Sequence, residues 1–86
     1  MSRPAPRVVE FFSGPDDLSD QQREILRKMG ERFPELTVDE LTLDSDKARE
    51  RGIPLAPGLV IDGVILGVGS VVSAGRIRRY LQPQQE

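Results

Sequence analysis

The chain reads as an α/β domain with a four-stranded mixed sheet flanked by three helices, in the order β-α-β-α-β-β-α. Three observations predict it. The nearly unbroken apolar run Val8-Val9-Glu10-Phe11-Phe12 is followed by a long amphipathic helical pattern. Alternating apolar residues resume at Leu36 and lead into a short polar helix signal. Asp62-Gly63 then separates two β-branched runs, a strong hairpin signature because both turn positions favour φ > 0. Strand, helix and strand joined by short links imply a right-handed crossover, so the first two strands are expected to be parallel neighbours.

The elements follow in order. Pro4 and Pro6 make residues 1–6 an extended leader, and the first strand ends at Ser13-Gly14-Pro15. Its continuous apolar character suits a strand covered on both faces. Ser19 followed by Gln22 fits a capping box, and Leu18, Ile25, Leu26, Met29 and Phe33 form one stripe that Pro34 ends, a helix of about four turns. That stripe reads as core, because a domain this small needs it. Leu36-Thr-Val-Asp-Glu-Leu-Thr-Leu43 reads as a strand whose alternation slips once, placing a bulge at Asp39-Glu40. Asp44-Ser45-Asp46 is a turn and cap signal, Lys47 to Arg51 a short helix, and Gly52 its stop. After Ile53-Pro-Leu-Ala-Pro57 come the hairpin strands Gly58-Leu-Val-Ile61 and Val64-Ile-Leu66. Ser73 opens the last helix, with Ile77, Tyr80 and Leu81 inward and Val72 stapling Ile77, until Pro83. Residues 7–82 thus form one domain and residues 83–86 a polar tail.

Composition excludes much chemistry. The chain has 86 residues, 37% hydrophobic and 30% charged, with neither Cys nor His. A thiol nucleophile, a catalytic disulfide, an imidazole base and a Cys/His metal site are therefore absent. Twelve Lys and Arg against fourteen Asp and Glu leave no global basic field for nucleic acid or an anionic membrane. Arg76, Arg78 and Arg79 form the one local basic cluster, read as a solvated face near a helix C-terminus. No targeting or membrane-spanning segment is evident, so a cytoplasmic address is expected.

Ala56-Pro57-Gly58-Leu59-Val60-Ile61-Asp62-Gly63 resembles the thioredoxin-like superfamily, specifically its small, glutaredoxin-sized thioredoxins. In those proteins a proline opens the third strand and an Asp-Gly turn follows. The likeness extends from Val8 to Leu81, and its specific parts are this segment and the glycines Gly67 and Gly69. The resemblance implies that Pro57 is the family's cis-proline, with Ala56, Pro57 and Gly58 shaping a groove for extended partner backbones. Pro54 competes for that role, but the distance from Pro57 to Asp62-Gly63 matches the family.

The same resemblance exposes departures. The family's Cys-x-x-Cys closes the loop after the first strand and opens the long helix. Here that place reads Asp16-Asp17-Leu18-Ser19, or in another register Ser13-Gly14-Pro15-Asp16. Either way both sulfurs are gone, and thiol–disulfide exchange is unavailable to this chain. Glutaredoxins of this kind carry Gly-Gly and an acidic pair before the last helix, where this sequence has Gly67-Val68-Gly69-Ser70-Val71. Gly67 and Gly69 read as backbone devices. Together with Ser70 they are also weak candidates for a small-anion site on the amides of residues 69–73.

Asp16, Asp17 and Asp20 suit the N-terminus of the first helix, and no metal site is expected from them. Ser19 has no credible activating base. The expected function is therefore a redox-inactive binding module with no cofactor. Its vestigial active-site loop, Gly14, Pro15, Asp16, Asp17, Leu18 and Ser19, would face the Ala56 to Gly58 groove and take a protein or extended peptide, with basic segments favoured. Two other readings are an accessory to a thiol–disulfide system that supplies no thiol itself, and self-association through a sheet edge or a patch of Val68, Val71 and Val72.

Overall fold

The computed structural model describes residues 6–82. The expected leader, residues 1–6, lies outside the described residues except for Pro6, and the expected tail, residues 83–86, lies outside them entirely. The elements are β1 (Arg7–Ser13), α1 (Asp17–Arg32), β2 (Leu36–Thr42), α2 (Asp46–Arg51), β3 (Gly58–Ile61), β4 (Val64–Val68) and α3 (Ala74–Leu81). The sheet order is β2-β1-β3-β4. β1 and β2 are parallel, as a crossover through α1 requires, while β3 is antiparallel to both β1 and β4.

β1 is central and covered on both faces. Val9 and Phe11 pack with Leu26, Met29, Ile77 and Leu81 beneath α1 and α3. Phe12 packs with Ala48, Ile53 and Val60 beneath α2. Asp62 and Gly63 both take positive φ, 52° and 84°, so the hairpin turn is of the kind that matches strand twist. Its Asp62 carboxylate is bonded by Arg7 at 2.8 Å and accepts from the Val8 amide, fastening the turn to β1. Ser45 caps α2 and Gly52 ends it in the left-handed region, while Ser73 caps α3.

Four local expectations are corrected. α1 is capped by Asp16, whose side chain accepts from the Ser19 amide at 2.7 Å, so Ser19 lies inside the first turn and makes no capping box. Gln22 instead turns inward and is wholly buried. Leu18 is 43% exposed and leaves the inner stripe, because a helix starting at Asp17 puts it at the rim. β2 pairs with β1 in unbroken register from Arg7↔Leu36 to Ser13↔Thr42, so Asp39-Glu40 holds no bulge. The apolar pattern slips there because it changes face: Leu36 packs on the α1 side and Leu41 and Leu43 on the α2 side, while Glu40, at a regular α1-side position, has its carboxylate bonded by Arg23 and Ser13. The register shift occurs between β3 and β4, where Leu59 faces Gly67 and Val60 faces Ile65. Leu66 is the extra residue, and its side chain joins the core cluster under α1 and α3. Among the described residues no helix is long and apolar enough to cross a membrane.

Candidate functional site

The segment between β1 and α1 is shaped by one hydrogen-bonded knot. Asp16 caps the helix, the Ser19 hydroxyl donates to the second Asp16 oxygen at 3.1 Å, and the same hydroxyl accepts from the Gly14 amide at 3.0 Å. Ser19 is thereby fully buried, whereas Pro15, Asp16, Asp17 and Leu18 stand exposed around it. Ser13 still belongs to β1, and its hydroxyl donates to Glu40. The four residues that close the loop and open the helix are therefore Asp16 to Ser19.

The second segment meets the first directly. A Cβ placed on Gly14 would lie 3.3 Å from the Ala56 side chain and 2.9 Å from an Asp16 oxygen, so the loop lies tight against Ala56. The Ala56-Pro57 peptide bond is cis. Pro57 is buried, and its carbonyl accepts from the Gly69 amide at 2.8 Å. Gly58 lies so close to Ile53 and Phe12 that a Cβ would come within 2.6 Å of Ile53. The structure thus brings Gly14 to Ser19 and Ala56 to Gly58 together at one end of the sheet. Exposed Leu18 and Leu55 contribute apolar surface from the same two segments.

The segment before α3 is committed to the fold. Gly69 adopts φ 75° and gives its N–H to Pro57, and a Cβ on Gly67 would strike Val72 at 2.5 Å. The Val72 amide donates to Gln22 Oε1 at 2.7 Å while Gln22 Nε2 donates to the Val72 carbonyl at 3.1 Å. Two of the amides that an anion site at Gly67, Gly69 and Ser70 would draw on are therefore already engaged. Val72 is buried, so Val68, Val71 and Val72 do not form one exposed patch. Sequence reasoning missed Gln22 as the link between α1 and this segment. Its residue type was visible, but its partner lies 50 positions away and carries no distinguishing side chain.

Electrostatics add one buried feature behind the site. Glu10 on β1 is 5% exposed and is held by Arg51 through two bonds of 2.8 and 3.2 Å, with Lys47 3.8 Å away. The Arg51 hydrogen bonds hold its carboxyl below the usual range, against the opposing effect of burial. A separate cavity of about 160 Å³ lies between α1 and β2, lined by Phe11, Arg23, Leu26, Arg27, Val38 and Glu40. Arg23 stands over the Phe11 ring and pairs with Glu40 at 2.6 Å across it. None of the loop residues lines it.

No family model matches the chain, and no curated protein does. Among solved structures it is similar to a chain from the study of thiol resolving in yeast mitochondrial 1-Cys peroxiredoxin via the glutathione/thioredoxin systems. The TM-score is 0.62 at 20% identity, covering 90% of this chain and 76% of that one. At that identity the likeness speaks for fold. Element order, sheet order and this neighbour agree: the chain has the thioredoxin-like fold, without the pair of thiols.

Proposed function

We propose that the chain is a redox-inactive protein- or peptide-binding module, and that the face built by Gly14 to Ser19 and Ala56 to Gly58 is its recognition surface. The close approach of Gly14 to Ala56 carries the reading, since it sets the exposed start of α1 beside the segment that leads into β3. Leu18 and Leu55 supply apolar contact, and exposed Asp17 and Asp20 in the first turn of α1 favour basic residues in the occupant. Without Cys, such contacts are reversible and no disulfide links the two chains. The fold neighbour comes from work on thiol resolving, but this chain brings no thiol to such a reaction.

Because Asp16 caps α1, a lysine there would disturb the helix as well as the surface. The informative variant keeps the cap and changes the charge: Asp16→Asn with Asp17→Lys, Asn being an equally good N-cap. An isotopically labelled chain titrated with a capped peptide of alternating Lys and Val should shift the amides of residues 14–19 and 56–58. The double variant should weaken that binding at least about tenfold. Shifts confined to other residues, or equal binding by the variant, would reject the reading.

A further inference from the structure

The two edges of the sheet are guarded very differently. β2 carries exposed Asp39 and Glu40, and Arg23 of α1 reaches down to Glu40 with bonds of 3.0 and 2.6 Å. Such charges discourage a further strand. β4, by contrast, reads Val64-Ile-Leu-Gly-Val68 with no charge and no proline, and Val64, Ile65 and Val68 are 46%, 46% and 36% exposed. Its one safeguard is the register shift toward β3, which limits the pairing run to a few residues.

The two sides of this edge differ in chemistry. Ile65 lies opposite Val60 and Val68 opposite Gly58, on the side where Phe12, Ala48 and Ile53 pack. α2 is only six residues long and pairs Arg51 with Glu10 of β1, so Ile65, Val68 and the nearby Leu55 are left exposed. The other side belongs to α3, whose Tyr80 hydroxyl reaches the Ile61 carbonyl of β3. α3 presents Arg76, Arg78 and Arg79 to solvent. Among the described residues none of these three has a carboxylate within ion-pair distance, whereas Arg7, Arg23, Arg27, Arg49 and Arg51 all do.

We infer that the β4 edge is a second docking site, for an extended acidic segment of a partner protein. The segment adds to β4 as a fifth strand, with apolar residues beside Ile65 and Val68 and carboxylates on the side of the α3 arginines. Strand alternation delivers those two chemistries to opposite faces of one short peptide. Charge complementarity selects this occupant over a second copy. A twofold β4–β4 pairing would set α3 beside α3 and bring six arginines together, with no acid on either strand to offset them. The site borders the loop face, sharing Leu55 with it and pairing Val68 with Gly58, and is told apart from it by favouring the opposite charge.

The test uses the full chain, isotopically labelled, with two capped eight-residue peptides, one alternating Val and Glu and one alternating Val and Lys. The Val/Glu peptide should shift the amides of residues 64–68, and the Val/Lys peptide should leave them unmoved. Arg76→Glu with Arg79→Glu should weaken Val/Glu binding at least about tenfold, and Ile65→Lys should abolish it. All three changes are at exposed positions, and retained amide dispersion controls for folding. Equal binding of both peptides at β4 overturns the inference, as does a Val/Glu peptide that leaves residues 64–68 unshifted. A mass that rises with concentration in sedimentation, and is returned to monomer by Ile65→Lys, assigns the edge to a second copy and also overturns it. Failure here leaves the loop reading standing, because the peptide charge, the amides followed and the side chains substituted all differ.

Discussion

Phe11 and Phe12 are adjacent, chemically identical and wholly buried, yet they belong to opposite sides of β1. Phe11 enters the side closed by α1 and α3, where the described cluster has eleven buried residues and one buried amide side chain, Gln22. Phe12 enters the side closed by the short α2, where the cluster has four, and where Glu10 is buried beside it in an ion pair. One side is held by apolar area, which does not titrate with pH. The other depends in part on a carboxylate staying charged. The difference shows how a chain this small covers a sheet on both faces. A long amphipathic helix and α3 close one, and a six-residue helix with an Arg51–Glu10 pair closes the other.

The largest test of this contrast is truncation of the two aromatic rings. Phe11→Ala is expected to cost about 3–5 kcal/mol in urea unfolding, and Phe12→Ala to fall at the low end of that range. The smaller cluster next to a short helix has more freedom to collapse around the void. Equal costs, or the reverse order, would break the comparison. Next comes the polar link on the thick side. Gln22→Leu keeps the volume but strands the Val72 amide and carbonyl, so a loss of about 2–4 kcal/mol is expected, with hydrogen exchange rising in residues 69–73. Unchanged protection there would show that α3 docks through Ile77 and Leu81 alone.

On the thin side, Glu10→Gln should cost about 1–2 kcal/mol at neutral pH. The sign with pH follows from the lowered folded-state value. The contribution of Glu10 is fully present above the ordinary carboxylate range, near pH ~4.3, and is lost as pH falls through the depressed value. Wild type and variant should therefore converge in acid, as followed by urea midpoints across a pH series. A gap independent of pH would mean that packing, not charge, is what Glu10 supplies. The smallest effect is at the helix start. Asp16→Ala should cost about 1 kcal/mol and Asp16→Asn close to nothing, which thermal unfolding resolves.

The legible parts of this fold were those whose signals act within a few residues. Ser45, Gly52 and Ser73 mark helix ends through their own side chains or φ, and Asp62-Gly63 dictates its turn without help from elsewhere. The candidate loop was legible as a place but not as a geometry. Asp16 and Ser19 both satisfy local rules for a cap, and Asp16 takes the role because Ser19 is drawn in to hold the Gly14 amide. The slip at Asp39-Glu40 resembled a bulge in one dimension, whereas it reflects a strand whose apolar residues serve the α1 side at Leu36 and the α2 side at Leu41 and Leu43.

The sequence by itself determined the order of strands and helices, the hairpin, and the absence of thiol chemistry. These follow from periodicity, turn stereochemistry and residue inventory, which need no partner far along the chain. Only the tertiary structure decided that Gln22 is inside, that Glu10 finds Arg51 forty-one residues away, and that β2 and β4 become the edges. It also decided that one edge is charged and the other bare. A contact between distant residues is chosen by which surfaces the packed elements bring together, and neither partner alone announces it.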